Sequence, residues 1–203
     1  RAVTRISGQT MLATAAGSYG AYFMAFDPAE EDEDTFSILE ALKQGEIFKS
    51  ADDRGIILGR KLAENLEVKL GRKVVFTMTD KHGEIVSDLV RVTGILETGS
   101  SMDAGICLLP LDRVRRVLGY GEDESLMIAA FVEDHRESEA VAARLDARLG
   151  DEAVALTWRE TQPDLAGFIA MKVGGTIFFE IIILILVAAG IFNTLFVSVM
   201  ERM

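Results

Sequence analysis

The chain is 203 residues long, with 49% hydrophobic and 26% charged residues, and its 21 basic against 32 acidic side chains give a net charge of −11. That balance argues against a nucleic-acid partner, because such proteins carry a basic footprint. One cysteine, Cys107, cannot form an internal disulfide, and its place in the apolar run Gly105-Ile106-Cys107-Leu108-Leu109 predicts a small core residue in a strand.

From Val3 to Asp27 the sequence is rich in Ala, Tyr, Phe and Thr, and Gly17-Ser18 divides it into two predicted strands joined by a turn. Pro28 closes the second strand. The acidic run Glu30-Glu31-Asp32-Glu33-Asp34 lacks the alternating ligands and central glycine of a calcium loop, and is expected to be the solvated start of a short helix carrying Phe36, Leu39 and Leu42. Gly55 to Gly59 predicts a short buried strand. Arg60 to Leu70 follows as a helix with Leu62, Leu66 and Leu70 on one face and Gly71 as its left-handed stop.

Val74–Thr79 and Ile85–Leu96 alternate as strands, and Asp80-Lys81-His82-Gly83 between them is turn chemistry, so the segment predicts a hairpin with His82 as a turn residue. After Gly99-Ser100-Ser101 comes the Cys107 strand, and Pro110 opens a helix with Leu111, Val114, Val117 and Leu118 on its apolar face. Arg113, Arg115 and Arg116 lie on the other face. On so acidic a chain they are expected to pair with neighbouring carboxylates.

Leu126–Val132 as a strand, Glu137–Leu149 as an amphipathic helix with Val141, Leu145 and Leu149 inward, and Ala153–Thr157 as a second strand predict a β-α-β unit. A further helix is expected from Thr161, where Thr161-Gln162-Pro163-Asp164 resembles a capping box. It runs to Lys172. Gly174-Gly175 then supplies high backbone freedom and predicts a hinge or kink.

Thr176 to Met200 reads TIFFEIIILILVAAGIFNTLFVSVM, a run with Glu180 as its only ionisable residue. At ~1.5 Å per residue this helix spans roughly 37 Å, enough to cross a hydrocarbon core about 30 Å thick. It lies far from the N-terminus and is therefore no secretory signal. Ala189, Gly190, Asn193, Thr194 and Ser198 place small and weakly polar side chains on one stripe, the pattern that lets membrane helices approach closely, and an amide such as Asn193 is expected to face protein rather than lipid. Lys172 before the span and Arg202 after it balance the loop charges that set orientation. Arg1 in place of a methionine, and Met203 directly after a charged pair, lead to the expectation that both ends are cut.

No catalytic constellation stands out. The sequence has no GxxxxGK[ST] loop, G-x-S-x-G elbow, H-E-x-x-H or Cys-x-x-Cys, and its two histidines, His82 and His135, fall in predicted loops. No catalytic, cofactor-binding or metal-binding residue is therefore assigned.

Three stretches carry a family resemblance: Gly55-Ile-Ile-Leu-Gly-Arg-Lys-Leu-Ala; Leu70-Gly-Arg-Lys-Val74 with Val90-Arg-Val-Thr-Gly-Ile-Leu96; and Gly190-Ile-Phe-Asn-Thr-Leu-Phe-Val-Ser-Val-Met-Glu-Arg202. Their order resembles the extracytoplasmic domain and second membrane helix of an ABC-transporter permease of the MacB/FtsX-like type, most similar to the lipoprotein-releasing LolC/LolE branch. The resemblance implies an α+β, two-lobed extracytoplasmic domain followed by one transmembrane helix. Residues 1–47 and 125–172 would form a β-α-β (Porter-like) lobe, residues 48–124 an inserted strand-rich (Sabre-like) lobe, and residues 173–203 the membrane helix and its cytoplasmic exit. It further implies a bacterial inner-membrane protein with residues 1 to about 172 on the periplasmic side and no enzymatic activity of its own. The implied partners are a cytoplasmic ABC ATPase subunit, a second permease subunit, the lipid bilayer, lipoprotein cargo and a periplasmic chaperone. The rival readings are a single-pass anchored sensor or interaction domain, and a membrane-tethered hydrolase using carboxylates.

Overall fold

The computed structural model describes residues 1–122, 124–150 and 153–200, with the side chains of residues 135 and 194–199 outside that description. The chain divides into two compact units, Arg1–Phe131 and Val132–Met203.

The first unit is built on strands. β1 (Ala2–Ala13) and β2 (Ser18–Phe26) form an antiparallel hairpin in register from Ile6↔Ala25 to Ala13↔Ser18, closed by Thr14 N–H donating to the Gly17 carbonyl at 2.9 Å. β3 (Leu42–Gly45), β4 (Gly55–Gly59), β5 (Lys73–Thr79), β6 (Ile85–Leu96), β7 (Ile106–Pro110) and β8 (Met127–Ala130) complete an eight-stranded sheet. Its pairings run β1-β2-β7-β4-β6-β5 and return to β1 through Met11↔Thr77, so six strands close into a ring. Pairs β2–β7 and β4–β6 are parallel and the other ring pairs antiparallel. β3 lies beside β6, and β8 pairs the first half of β1 from Ala2↔Ala130 to Arg5↔Met127. Strands from residues 1–47 and from residues 48–124, assigned by the resemblance to different lobes, share one ring, with β1 and β2 side by side and β7, β4, β6 and β5 following as a second block.

Closure leaves the sheet an apolar inside and a partly covered outside. Alternation along β4 sends Ile56 and Leu58 into a cluster with Ile6, Leu12, Phe23 and Phe76, while Ile57 joins Phe26, Phe36, Phe48 and Leu108 on the opposite face. β7 divides in the same way, with Cys107 and Leu109 on one side and Leu108 on the other. Both strands are buried on both faces, and this is why they read as unbroken apolar runs. Helices α1 (Arg60–Asn65), with the Leu66 that caps it, and α2 (Leu111–Leu118) add Leu62, Leu66, Val114 and Leu118 to the inner cluster. Each fully buried Leu or Phe here contributes about 1.5–3 kcal/mol relative to exposure.

Several local expectations change. α1 ends at Asn65 rather than near Leu70 because Glu67 turns left-handed at φ 54°. Val68 N–H donates to the Ala63 carbonyl and Glu67 N–H to that of Glu64, each at 3.0 Å, which is the double bond of a Schellman stop with glutamate where glycine is usual. Gly71 instead serves a later turn, its N–H reaching the Val92 carbonyl at 2.7 Å. The acidic run is a turn rather than a helix start, with Asp27 Oδ1 accepting Ala29 N–H at 2.9 Å, and the helix after it is a 3-10 segment, Ser37–Ala41. Gly59 is required by close approach, since a Cβ there would stand 2.4 Å from the Asp103 carbonyl oxygen.

The second unit is helical among the described residues: α3 (Ser138–Leu149), α4 (Trp158–Thr161) and α5 (Pro163–Met200). Residues 153–157 alternate like a strand but pair with none, and α3 buries no residue, so Leu145 and Leu149 are exposed rather than inward. The capping box forms one turn earlier than expected, between Thr157 and Glu160, while Pro163 opens α5.

Candidate functional site

α5 is about 57 Å long at ~1.5 Å per residue. Its segment Pro163–Asn193 has a mean hydropathy of 2.5 in its most apolar window and is long and apolar enough to cross a membrane. Apolar side chains occupy every side of it: Phe178, Leu184 and Phe192 are 61%, 69% and 71% exposed. A helix apolar all round requires burial in lipid or against other helices.

Gly174 and Gly175 lie within this helix, whose backbone continues through both without a break. A Cβ at either would meet nothing within 4 Å. One residue later the Thr176 hydroxyl donates to the Lys172 carbonyl at 3.1 Å, a backward bond of the kind that bends helices. Ala189 and Asn193 are exposed on the same helix, and Gly190 lies between them. Thr194 and Ser198 belong to it by backbone, but their side chains fall outside the described residues.

The arginines of α2 do pair with carboxylates. Arg113 contacts Asp88 at 2.5 Å, Arg115 contacts Asp112 at 3.0 Å and Arg116 contacts Asp52 at 2.7 Å. The Arg116 hydrogen bond holds Asp52 below its ordinary range. His82 sits in the β5–β6 turn, its N–H bonded to Asp80 Oδ1 at 2.8 Å, and Cys107 is fully buried, which pushes its thiol far above the usual range. Among the described residues no three His, Cys, Asp or Glu gather as a metal site.

Sequence reasoning missed the polar cluster around Arg5. Its guanidinium bonds both Glu31 oxygens, donates to the Thr35 carbonyl at 2.8 Å, and lies 4.5 Å and 5.9 Å from the ring centres of Phe36 and Phe131. Glu31 is one of five consecutive acids, and nothing in its immediate sequence distinguishes it from the others.

Comparison with curated proteins finds no match. Among solved structures, the crystal structure of the extracellular domain of noncanonic ABC-type transporter YknZ from Gram-positive bacteria is similar, at TM-score 0.54 and 14% identity over 74% of each chain. At that identity the likeness shows a shared fold. The family model described as MacB-like periplasmic core domain matches residues 1–148, which include the whole closed ring, and the chain belongs to that family.

Proposed function

We propose that the chain is part of an ABC-transporter permease, with its strand-built unit outside the cytoplasm and α5 as the membrane helix that moves it. The observation that carries this reading is the presence in one chain of a MacB-like periplasmic core domain over residues 1–148 and, after it, an apolar helix of spanning length. ATP hydrolysis belongs to a separate cytoplasmic subunit. Closure of that subunit displaces the cytoplasmic end of α5, and the continuous hydrogen-bond ladder of the helix carries the displacement outward, as in hinge and shear transitions. Gly174-Gly175 is the point where the helix can flex, and the stripe from Ala189 to Ser198 is the face packed against other membrane helices of a permease dimer.

The cargo assigned by this reading is lipoprotein released from a bacterial inner membrane, for which the resemblance to the LolC/LolE branch is the support. The test is co-purification of the full-length protein with its neighbouring subunits, followed by ATPase and lipoprotein-release assays in proteoliposomes. ATP-dependent release is the expected result. An associated ATPase without release would overturn the cargo and keep the transporter; no associated ATPase would overturn the transporter and leave a single-pass anchored domain.

A further inference from the structure

An open cleft of about 670 Å³ lies in the first unit between the β1–β2 turn, the loop after α1, and β6. Ala15, Ala16 and Val68 give it an apolar wall, and Arg72, Lys73 and Arg91 bring three cations to it. Lys73 and Arg91 are direct cross-strand partners in the antiparallel β5–β6 pair, so both side chains stand on the same outer face. Like charges directly opposite one another destabilise a sheet. Yet among the described residues neither Lys73 nor Arg72 has a carboxylate partner, and the Arg91 guanidinium donates only to the Gly71 carbonyl.

The contrast with α2 is informative, because there each arginine has a carboxylate. Among the described residues the only acid lining the cleft is Glu67, which leaves the lining with a surplus of positive charge on a molecule of net charge −11. The fold also fixes the positions of these cations: Gly71 N–H to the Val92 carbonyl and Val92 N–H to the Arg72 carbonyl, at 2.7 and 2.9 Å, pin the loop to β6.

We propose that this cleft binds a phosphate group, free or carried by a lipid headgroup. Arg91 and Arg72 suit it because a guanidinium presents paired N–H donors to phosphate oxygens, while Lys73 adds a point charge. A bound phosphate anion offsets the repulsion between Lys73 and Arg91. The apolar wall would be used only by a ligand that carries a hydrocarbon part.

The test uses the full chain in phosphatidylcholine nanodiscs, in phosphate-free buffer at constant ionic strength set with sodium chloride. Inorganic phosphate and dihexanoyl phosphatidylglycerol are titrated separately, with binding read by calorimetry and the melting midpoint followed in parallel. Saturable binding of either, with a midpoint raised above that in chloride, supports the site. Equal affinities assign it to phosphate alone, and a lipid affinity more than tenfold tighter assigns it to the headgroup with its chain on the apolar wall. Lys73→Gln with Arg91→Gln should weaken binding at least tenfold, and Lys73→Gln alone should leave the ligand-free midpoint equal or higher because a repulsion is gone. Overturning results are binding no stronger than that of chloride, binding unchanged in the double variant, or a ligand-free midpoint that falls in Lys73→Gln.

Discussion

Arg5 has a side chain only 11% exposed, and its partner Glu31 is wholly buried. A buried pair of this kind is weak evidence of net stabilisation while intact, but removing one member strands the other charge at a cost of about 3–5 kcal/mol. Glu31→Ala is therefore expected to lower the unfolding free energy of the full chain by about 3 kcal/mol in urea, well beyond Arg1→Ala, whose pair with Asp32 is half exposed. Asp103 supplies a pH-dependent counterpart. Burial raises its pKa, but the Thr98 N–H at 3.0 Å and Thr98 hydroxyl at 2.8 Å outweigh that and hold it below the ordinary 3.8. A carboxyl lowered in the folded state stabilises at pH values above its unfolded pKa, and the contribution is lost as pH falls through the folded value. Asp103→Asn keeps an oxygen to accept the Thr98 bonds, so thermal melts between pH 2 and 5 should show a shallower acid dependence than the native chain.

Among the elements, the β5–β6 hairpin and α5 were legible because their signals are local. Alternation flanks a turn whose Asp80 side chain accepts N–H groups from His82 and Glu84, and α5 is declared by hydropathy alone. Ring closure was not legible, since it depends on pairs such as Met11↔Thr77 and Tyr22↔Ile106 that no local pattern connects. The end of α1 was hidden because glutamate occupies its left-handed position, and residues 153–157 show that alternation without a partner strand makes no sheet. The Arg5 cluster stayed hidden for a related reason, as its acid is 26 residues away. Gly59→Ala tests the junction of β4 and α1: its new Cβ would lie 2.4 Å from one Asp103 backbone atom and 2.8 Å from another, and neither is free to swing aside as a side chain would be. The expected loss is about 1–3 kcal/mol. Gly20→Ala on β2 meets nothing within 4 Å and should fall within about 0.5 kcal/mol. In α5, replacing Gly174 and Gly175 together by alanine adds up to about 2 kcal/mol of helix propensity. If that pair is the flexing point of a permease, coupled transport falls while the melting of the first unit is unchanged; unchanged transport would remove the hinge.

At the scale of the whole molecule, the first unit gathers its strands so that β1 and β8 run antiparallel with Ala2 beside Ala130. Arg1 and Phe131 exchange backbone hydrogen bonds, with Phe131 N–H reaching the Arg1 carbonyl at 2.8 Å and the Arg1 amine reaching the Phe131 carbonyl at 3.4 Å. A circular permutant of residues 1–131, joined across this gap by a linker of about four residues and opened between His82 and Gly83, should therefore fold, because adjacent termini tolerate such rewiring. A cooperative melt with native circular dichroism is the expected result, and a non-cooperative one would show that the order of the strands along the chain matters beyond their pairing. The same adjacency makes the unit a cassette. Both of its feet share one footprint, so it can be excised, exchanged for a relative's or replaced by a tag without leaving the flanking chain a distance to bridge.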